Sequence, residues 1–208
     1  MKSNFLFFIV LLSTQLCSQN FEGSIVYKSS CRSSKPDWKK EYCQMIADSS
    51  HVYYFKNGNY KYVYNDIEKW TLFINKEQKM YTKAKKIYRT SVFQNEDEIV
   101  NIQINPKKTI VLGYECDELI LKCKNSTQKY YYNSVTEIDP KLMEKHQLAN
   151  LNTIISITKA IPIKTIFIIE DQGFELETVA FEIKKAPLSA ALFTLPKDVE
   201  IIDGNTSK

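Results

Sequence analysis

The stretch Pro106-Lys-Lys-Thr-Ile-Val-Leu-Gly-Tyr-Glu-Cys-Asp-Glu-Leu-Ile-Leu-Lys-Cys123 decides how the chain reads. It is rich in strand-forming residues and holds a single glycine, Gly113. Ile110, Leu112, Tyr114 and Cys116 share one face of an extended chain, whereas Leu119, Leu121 and Cys123 have the opposite parity. A period-2 pattern that changes phase beside a glycine predicts a bulge or sharp coil within one long strand. Such devices serve sheets that curl around something. Asn125-Ser126-Thr127-Gln128 then turns the chain into Lys129-Tyr130-Tyr131-Tyr132, so the strand also leads a hairpin.

Working outward, the flanking sequence supplies further strands. Phe21, Gly23, Ile25 and Tyr27 alternate on one face. His51–Lys56 and Tyr60–Tyr64 flank Asn57-Gly58, the strongest hairpin signal in the chain. Trp70–Ile74 and Met80–Lys83 flank a second turn, Ile87–Phe93 and Glu98–Ile104 read as strands, and Asp171-Gln172-Gly173 joins Ile163–Glu170 to Phe174–Lys184. Two stretches read as helices. Pro36 opens one whose Trp38, Tyr42, Met45 and Ile46 form an apolar stripe. Asp139-Pro140 starts another, with Leu142, His146 and Ala149 on one face. Leu151–Ile161 is ambiguous between irregular chain and a short strand, and Ala186–Pro196 reads as a docked turn. Many hairpin-linked strands with two short amphipathic helices give an α+β domain. The expected arrangement is a strongly curved antiparallel sheet, a half-barrel, with the short helices packed on its concave face.

Met1–Gln19 has the layout of a secretory signal peptide: Lys2, an apolar run Phe5–Leu12 and a polar exit with cleavage near Ser18 or Gln19. The rival is a lipoprotein signal acylated at Cys17, against which stands Leu16 where a small residue is wanted. No later apolar run is long enough for a membrane helix. The division expected is signal peptide 1–19, one β-rich domain 20–198 and a polar tail 199–208, placing the protein in the periplasm or, if Cys17 is acylated, on a membrane. With 28 Lys+Arg scattered among 24 Asp+Glu, no basic stripe forms, which sets nucleic-acid binding aside. Thirteen Tyr and eleven Phe against five Gly and six Pro exclude a disordered or low-complexity chain.

Four cysteines remain after Cys17, allowing three disulfide pairings. Cys116 and Cys123 lie roughly 23 Å apart in an extended strand, beyond disulfide reach. Cys31–Cys43, across a loop and a helix start, is the preferred pairing, with Cys116 and Cys123 as buried free thiols. The spacing does not suit zinc, and no metal or cofactor is expected.

Catalytic signatures are missing: there is no Gly-x-Ser-x-Gly elbow, phosphate loop or His-Glu-x-x-His pair. His51 and His146 are each candidates for a general base, but an isolated histidine among aromatic residues reads first as a packed or surface side chain. Asp97/Glu98 and Glu175/Glu177 read as solvated carboxylates. Tyr53, Tyr54, Tyr60, Tyr62, Tyr64 and Tyr130–Tyr132 could stack a sugar or base, against the simpler reading of cross-strand pairs. Asn125-Ser126-Thr127 matches the glycosylation sequon.

Three stretches in order, Phe21-Glu-Gly-Ser-Ile-Val-Tyr27, Lys108-Thr-Ile-Val-Leu-Gly-Tyr-Glu-Cys116 and Leu192-Phe-Thr-Leu-Pro-Lys-Asp198, together with Asp139-Pro140, carry a resemblance. The chain resembles exported envelope proteins of the GLPGLI and related uncharacterised types, themselves similar to LolA/LolB-like periplasmic lipoprotein carriers. The resemblance implies a half-barrel over helices with an apolar cavity that in the carriers receives acyl chains. No gating charge carries over to a numbered position. The expectation is a non-enzymatic periplasmic protein that binds a lipid or lipoprotein acyl chain, lined by Trp38, Tyr42 and Ile46 from the helix and Leu72 and Ile74 from a strand. Two alternatives remain: these residues fill an ordinary core, or the fold is an envelope module for a protein partner.

Overall fold

The computed structural model describes residues 20–33, 41, 43, 50–64, 69–95, 97–197 and 199–204. The expected signal peptide, and Trp38, Tyr42 and Ile46 of the expected first helix, lie outside the described residues. The described strands are β1 (Gly23–Ser33), β2 (Ser50–Lys56), β3 (Asn59–Tyr64), β4 (Trp70–Ile74), β5 (Lys79–Lys83) and β6 (Ile87–Ser91). They continue with β7 (Ile99–Val111), β8 (Tyr114–Cys123), β9 (Thr127–Tyr132), β10 (Lys164–Ile169), β11 (Phe174–Lys185) and β12 (Ile201–Asp203). Helix α1 is Leu151–Thr158, and short 3-10 turns fill several connections.

All twelve strands form one sheet in the order β12-β6-β5-β4-β3-β2-β1-β11-β10-β9-β8-β7. Two hairpin meanders, β1 to β6 and β7 to β11, are joined where β1 pairs antiparallel with β11. Within the polar tail, Ile201–Asp203 adds β12 parallel to β6, held by the two-bonded pair of Arg89 with Asp203.

The α+β class stands, with strands and the short helix α1, but the half-barrel is corrected. The sheet is open, with β12 and β7 as unjoined edges, and is neither closed nor strongly curled. The reason lies in the very stretch expected to curl. Leu112 and Gly113 have φ of 51° and 81°, and Val111 pairs with Tyr114. Both central residues at positive φ make a two-residue hairpin turn, so β7 and β8 are separate strands where one coiled strand was expected. The change of buried parity does occur, at Glu118–Leu119, where both are buried. It sits opposite the irregular Asn105–Thr109 of β7, where the register slips.

Each face of the sheet has its own cover. Cross-strand partners Ile25, Tyr53, Tyr60 and Phe73 form one face, packed under residues 138–163 through Ile138, Met143, Ile155, Ile161 and Ile163. The alternate residues Trp70, Leu72 and Tyr81 face the other way, against Phe193, Leu188, Leu192 and Leu195. The expected Asp139 cap exists, its carboxylate accepting from the Lys141 amide at 3.0 Å, but it opens only a 3-10 turn, Pro140–Met143. The ambiguous Leu151–Ile161 becomes α1. Its Thr153, Ile154, Ile155, Ile157 and Thr158 favour a strand locally, and burial of Ile154, Ile155 and Thr158 against the sheet overrides that preference.

Candidate functional site

Between the tyrosine-rich face and the segment above it lies a cavity of about 290 Å³. β1, β2 and β3 place Tyr27, His51, Tyr53, Tyr62 and Tyr64 along one wall, and β9 adds Tyr130. These positions share a face because Tyr27 pairs with His51, His51 with Tyr64 and Tyr53 with Tyr62. The opposite wall is aliphatic: Ile138, Met143, Leu151, Ile154, Ile155 and Ile161.

The aromatic wall is a contact network. The His51 ring stacks on Tyr27 at 5.2 Å and meets Tyr62 at 5.4 Å, and Tyr53 lies 4.7 Å from Tyr62. Tyr27 donates its hydroxyl proton to the Pro162 carbonyl at 2.7 Å, and Tyr130 donates to Gln128 Oε1 at 2.6 Å. Among the described residues the hydroxyls of Tyr53 and Tyr62 and the His51 ring nitrogens have no hydrogen-bond partner.

The described lining is electrically neutral. Burial pushes the phenols of Tyr27, Tyr53, Tyr62 and Tyr130 above the ordinary tyrosine range. It pulls His51 down to about 4, so the imidazole is uncharged at neutral pH. Among the described residues the lining contains no Lys, Arg, Asp or Glu. Behind it, His146 is buried against Phe73, with its Nε2 2.8 Å from the Tyr60 hydroxyl. Burial also lowers His146 to about 4. Neither histidine has a carboxylate hydrogen-bonded to its ring among the described residues. Such a partner would orient it as a general base.

Of the lining residues expected from sequence, Leu72 and Ile74 pack on the opposite face with Trp70, Tyr81 and Phe193, away from this cavity. Trp38, Tyr42 and Ile46 lie outside the described residues. Of the tyrosine stripe, read first as cross-strand pairs, Tyr53, Tyr62, Tyr64 and Tyr130 line the cavity, whereas Tyr54 points to the other face. The aliphatic wall had no periodic signature. Cys31 and Cys43 form a disulfide, the pairing preferred from sequence. Cys116 is a buried free thiol and Cys123 a partly exposed one. Among the described residues no cluster of potential metal ligands occurs, and no helix is long and apolar enough to cross a membrane.

No family model and no curated protein matches the chain. Solved structures do. The chain is similar to PNGF-II, with a TM-score of 0.50 and 12% identity over 89% of this chain and 31% of that one. It therefore spans less than a third of that protein's length. An uncharacterised conserved protein from Thermus thermophilus gives a TM-score of 0.47 at 9% identity, over 88% of this chain and 91% of that one. A LolA superfamily protein from Nitrosomonas europaea gives 0.43 at 9%, over 85% and 91%. At such identities the likeness concerns the fold alone, and function rests on the site.

Proposed function

We propose that this chain is a non-enzymatic, exported protein that binds an apolar ligand, such as a lipid or acyl chain, between the sheet and the segment around α1. The observation that carries the reading is the 290 Å³ cavity with one aromatic and one aliphatic wall. Its volume sits near the lower end of pockets that enclose small organic ligands, so it takes one chain or ring system. Export rests on the layout of Met1–Gln19.

Native mass spectrometry should show a co-purifying apolar molecule, and delipidated protein should take up a neutral fluorescent probe such as N-phenyl-1-naphthylamine. Leu151→Trp, which fills the cavity from the start of α1, should abolish uptake in protein that still unfolds cooperatively. Uptake unchanged in that variant would place the probe elsewhere and remove the support.

A second reading, an envelope module for a protein partner, has its own observation. Edge strand β7 exposes Val100, Ile102, Ile104 and Ile110, from 43% to 72% of their surface. Pro106, Lys107, Lys108 and the register slips at both ends of Asn101–Asn105 oppose strand addition there. The cavity therefore leads.

A further inference from the structure

The cavity also contains information about the polar part of its occupant. Two features bear on it, and the inference rests on the apolar-ligand reading given above. The first is the lack of formal charge among the described residues of the lining. Beneath Thr165 and Thr178, the same two strands carry Lys164 and Glu177, but these are paired with each other at 2.5 Å, and the Lys164 ammonium lies over the Tyr131 ring. Neither charge is left over for a ligand. An ionised carboxylate, phosphate or ammonium entering this space would give up water and find no counter-charge among the described residues, which is unfavourable.

The second feature is the distribution of satisfied and unsatisfied polar atoms. In the same aromatic cluster, Tyr27 and Tyr130 have hydrogen-bond partners, and the Tyr60 hydroxyl lies against His146 Nε2. Tyr53 and Tyr62, whose rings touch at 4.7 Å, and His51 beside Tyr62, have none among the described residues. All three line the cavity. They present two O–H groups, each able to donate or accept, and an imidazole with one donor and one acceptor. The three rings come from neighbouring strands β2 and β3, so the open polar atoms are gathered on one wall while the other wall stays aliphatic.

We infer that the cavity selects a ligand with an apolar body and one uncharged hydrogen-bonding head, such as an alcohol, ketone, ester or amide. The head meets Tyr53, Tyr62 and His51, and the body lies against Ile138, Met143, Ile154 and Ile155. Equal-length carboxylates, phosphates and amines are excluded by their charge.

The test is competition against bound N-phenyl-1-naphthylamine at pH 7.4, using decanol, decanoate and decylamine below their micelle concentrations, with decane as the headless control. Decanol should displace the probe at a concentration at least tenfold lower than either ion. The double variant Tyr53→Phe/Tyr62→Phe should weaken decanol several-fold toward the potency of decane, with His51 left as its one polar partner, while decane itself is unchanged. Decanoate or decylamine displacing as well as decanol would overturn the neutral-head inference and leave the apolar cavity standing. The double variant leaving decanol potency unchanged would overturn the assignment of the head to these tyrosines. A wild-type protein that binds neither probe nor decane would sink the apolar-ligand reading itself.

Discussion

Acidification should destabilise this protein through its buried histidines before its carboxylates matter. His146 is 2% exposed, and burial lowers it from 6.5 to about 4. An unfolded chain takes up a proton at this residue near 6.5, whereas the folded chain does so only near 4. The neutral folded form is thus fully stable above about 6.5 and loses stability as pH falls toward 4. At pH 5 the loss amounts to roughly 2 kcal/mol from His146 alone. Glu22 and Asp203 are held below their ordinary carboxylate values, by Lys56 and Arg89 respectively, so their contributions fade only at lower pH. In His146→Phe the ring packs against Phe73, and the Tyr60 hydroxyl keeps only the Met80 sulfur at 3.8 Å. That should cost about 1–2 kcal/mol at pH 7.5. Between pH 7.5 and 5, however, the variant should lose about 2 kcal/mol less than the wild type. Urea unfolding followed by tryptophan fluorescence at both pH values measures the difference. Equal losses in the two proteins would show that His146 is not held neutral by burial.

Two further outcomes follow from the packing. Removing the Cys31–Cys43 disulfide, which closes a separation of 12 residues, should cost about 3 kcal/mol; urea midpoints of the Cys31→Ser/Cys43→Ser variant check this. Leu72→Ala, in the core under Phe193, should cost roughly 2–5 kcal/mol and leave probe affinity unchanged in the fraction that remains folded, as fluorescence titration at low temperature will show.

The sheet was legible where turn chemistry is stereotyped. Asn57 and Gly58 occupy positive φ of 48° and 79° between β2 and β3, as an Asn-Gly hairpin requires. Leu112-Gly113 does the same between β7 and β8, but Leu rarely adopts positive φ, so the pair lacks a turn signature and reads as a bulge. That one difference of turn type carried the half-barrel expectation with it. For α1 the local preference points to a strand, and the deciding term is burial against a sheet distant in sequence. Tyr53, Tyr62 and Tyr64 were visible as an alternating strand face, but cross-strand pairing was the simpler reading of them and the lining was expected elsewhere. The opposite wall comes from residues spread over 138–162, through 3-10 turns and a short helix whose spacing follows neither period. Leu72 and Ile74 were correctly apolar and inward, but alternation alone does not say which of two covered faces holds the space.

The choice between packing core and binding site turns on residue chemistry rather than on volume. Phe55 and Phe73 sit in the same cluster as Tyr53, Tyr60 and Tyr62, so a phenyl ring fits this layer without difficulty. A hydroxyl buried without a partner costs about 1–3 kcal/mol relative to one that is satisfied. Tyr60 avoids that cost through His146, and Tyr27 through the Pro162 carbonyl. Tyr53 and Tyr62 have no such protein partner among the described residues, and both border the cavity. Neither hydroxyl is sealed off, since both open onto the cavity and water satisfies them when it is empty, so the burial cost that Tyr27 and Tyr60 avoid does not arise here. What marks these positions is their placement: two hydroxyls without a protein partner among the described residues face the same space as an aliphatic wall, which suits an occupant with one hydrogen-bonding group and an apolar remainder.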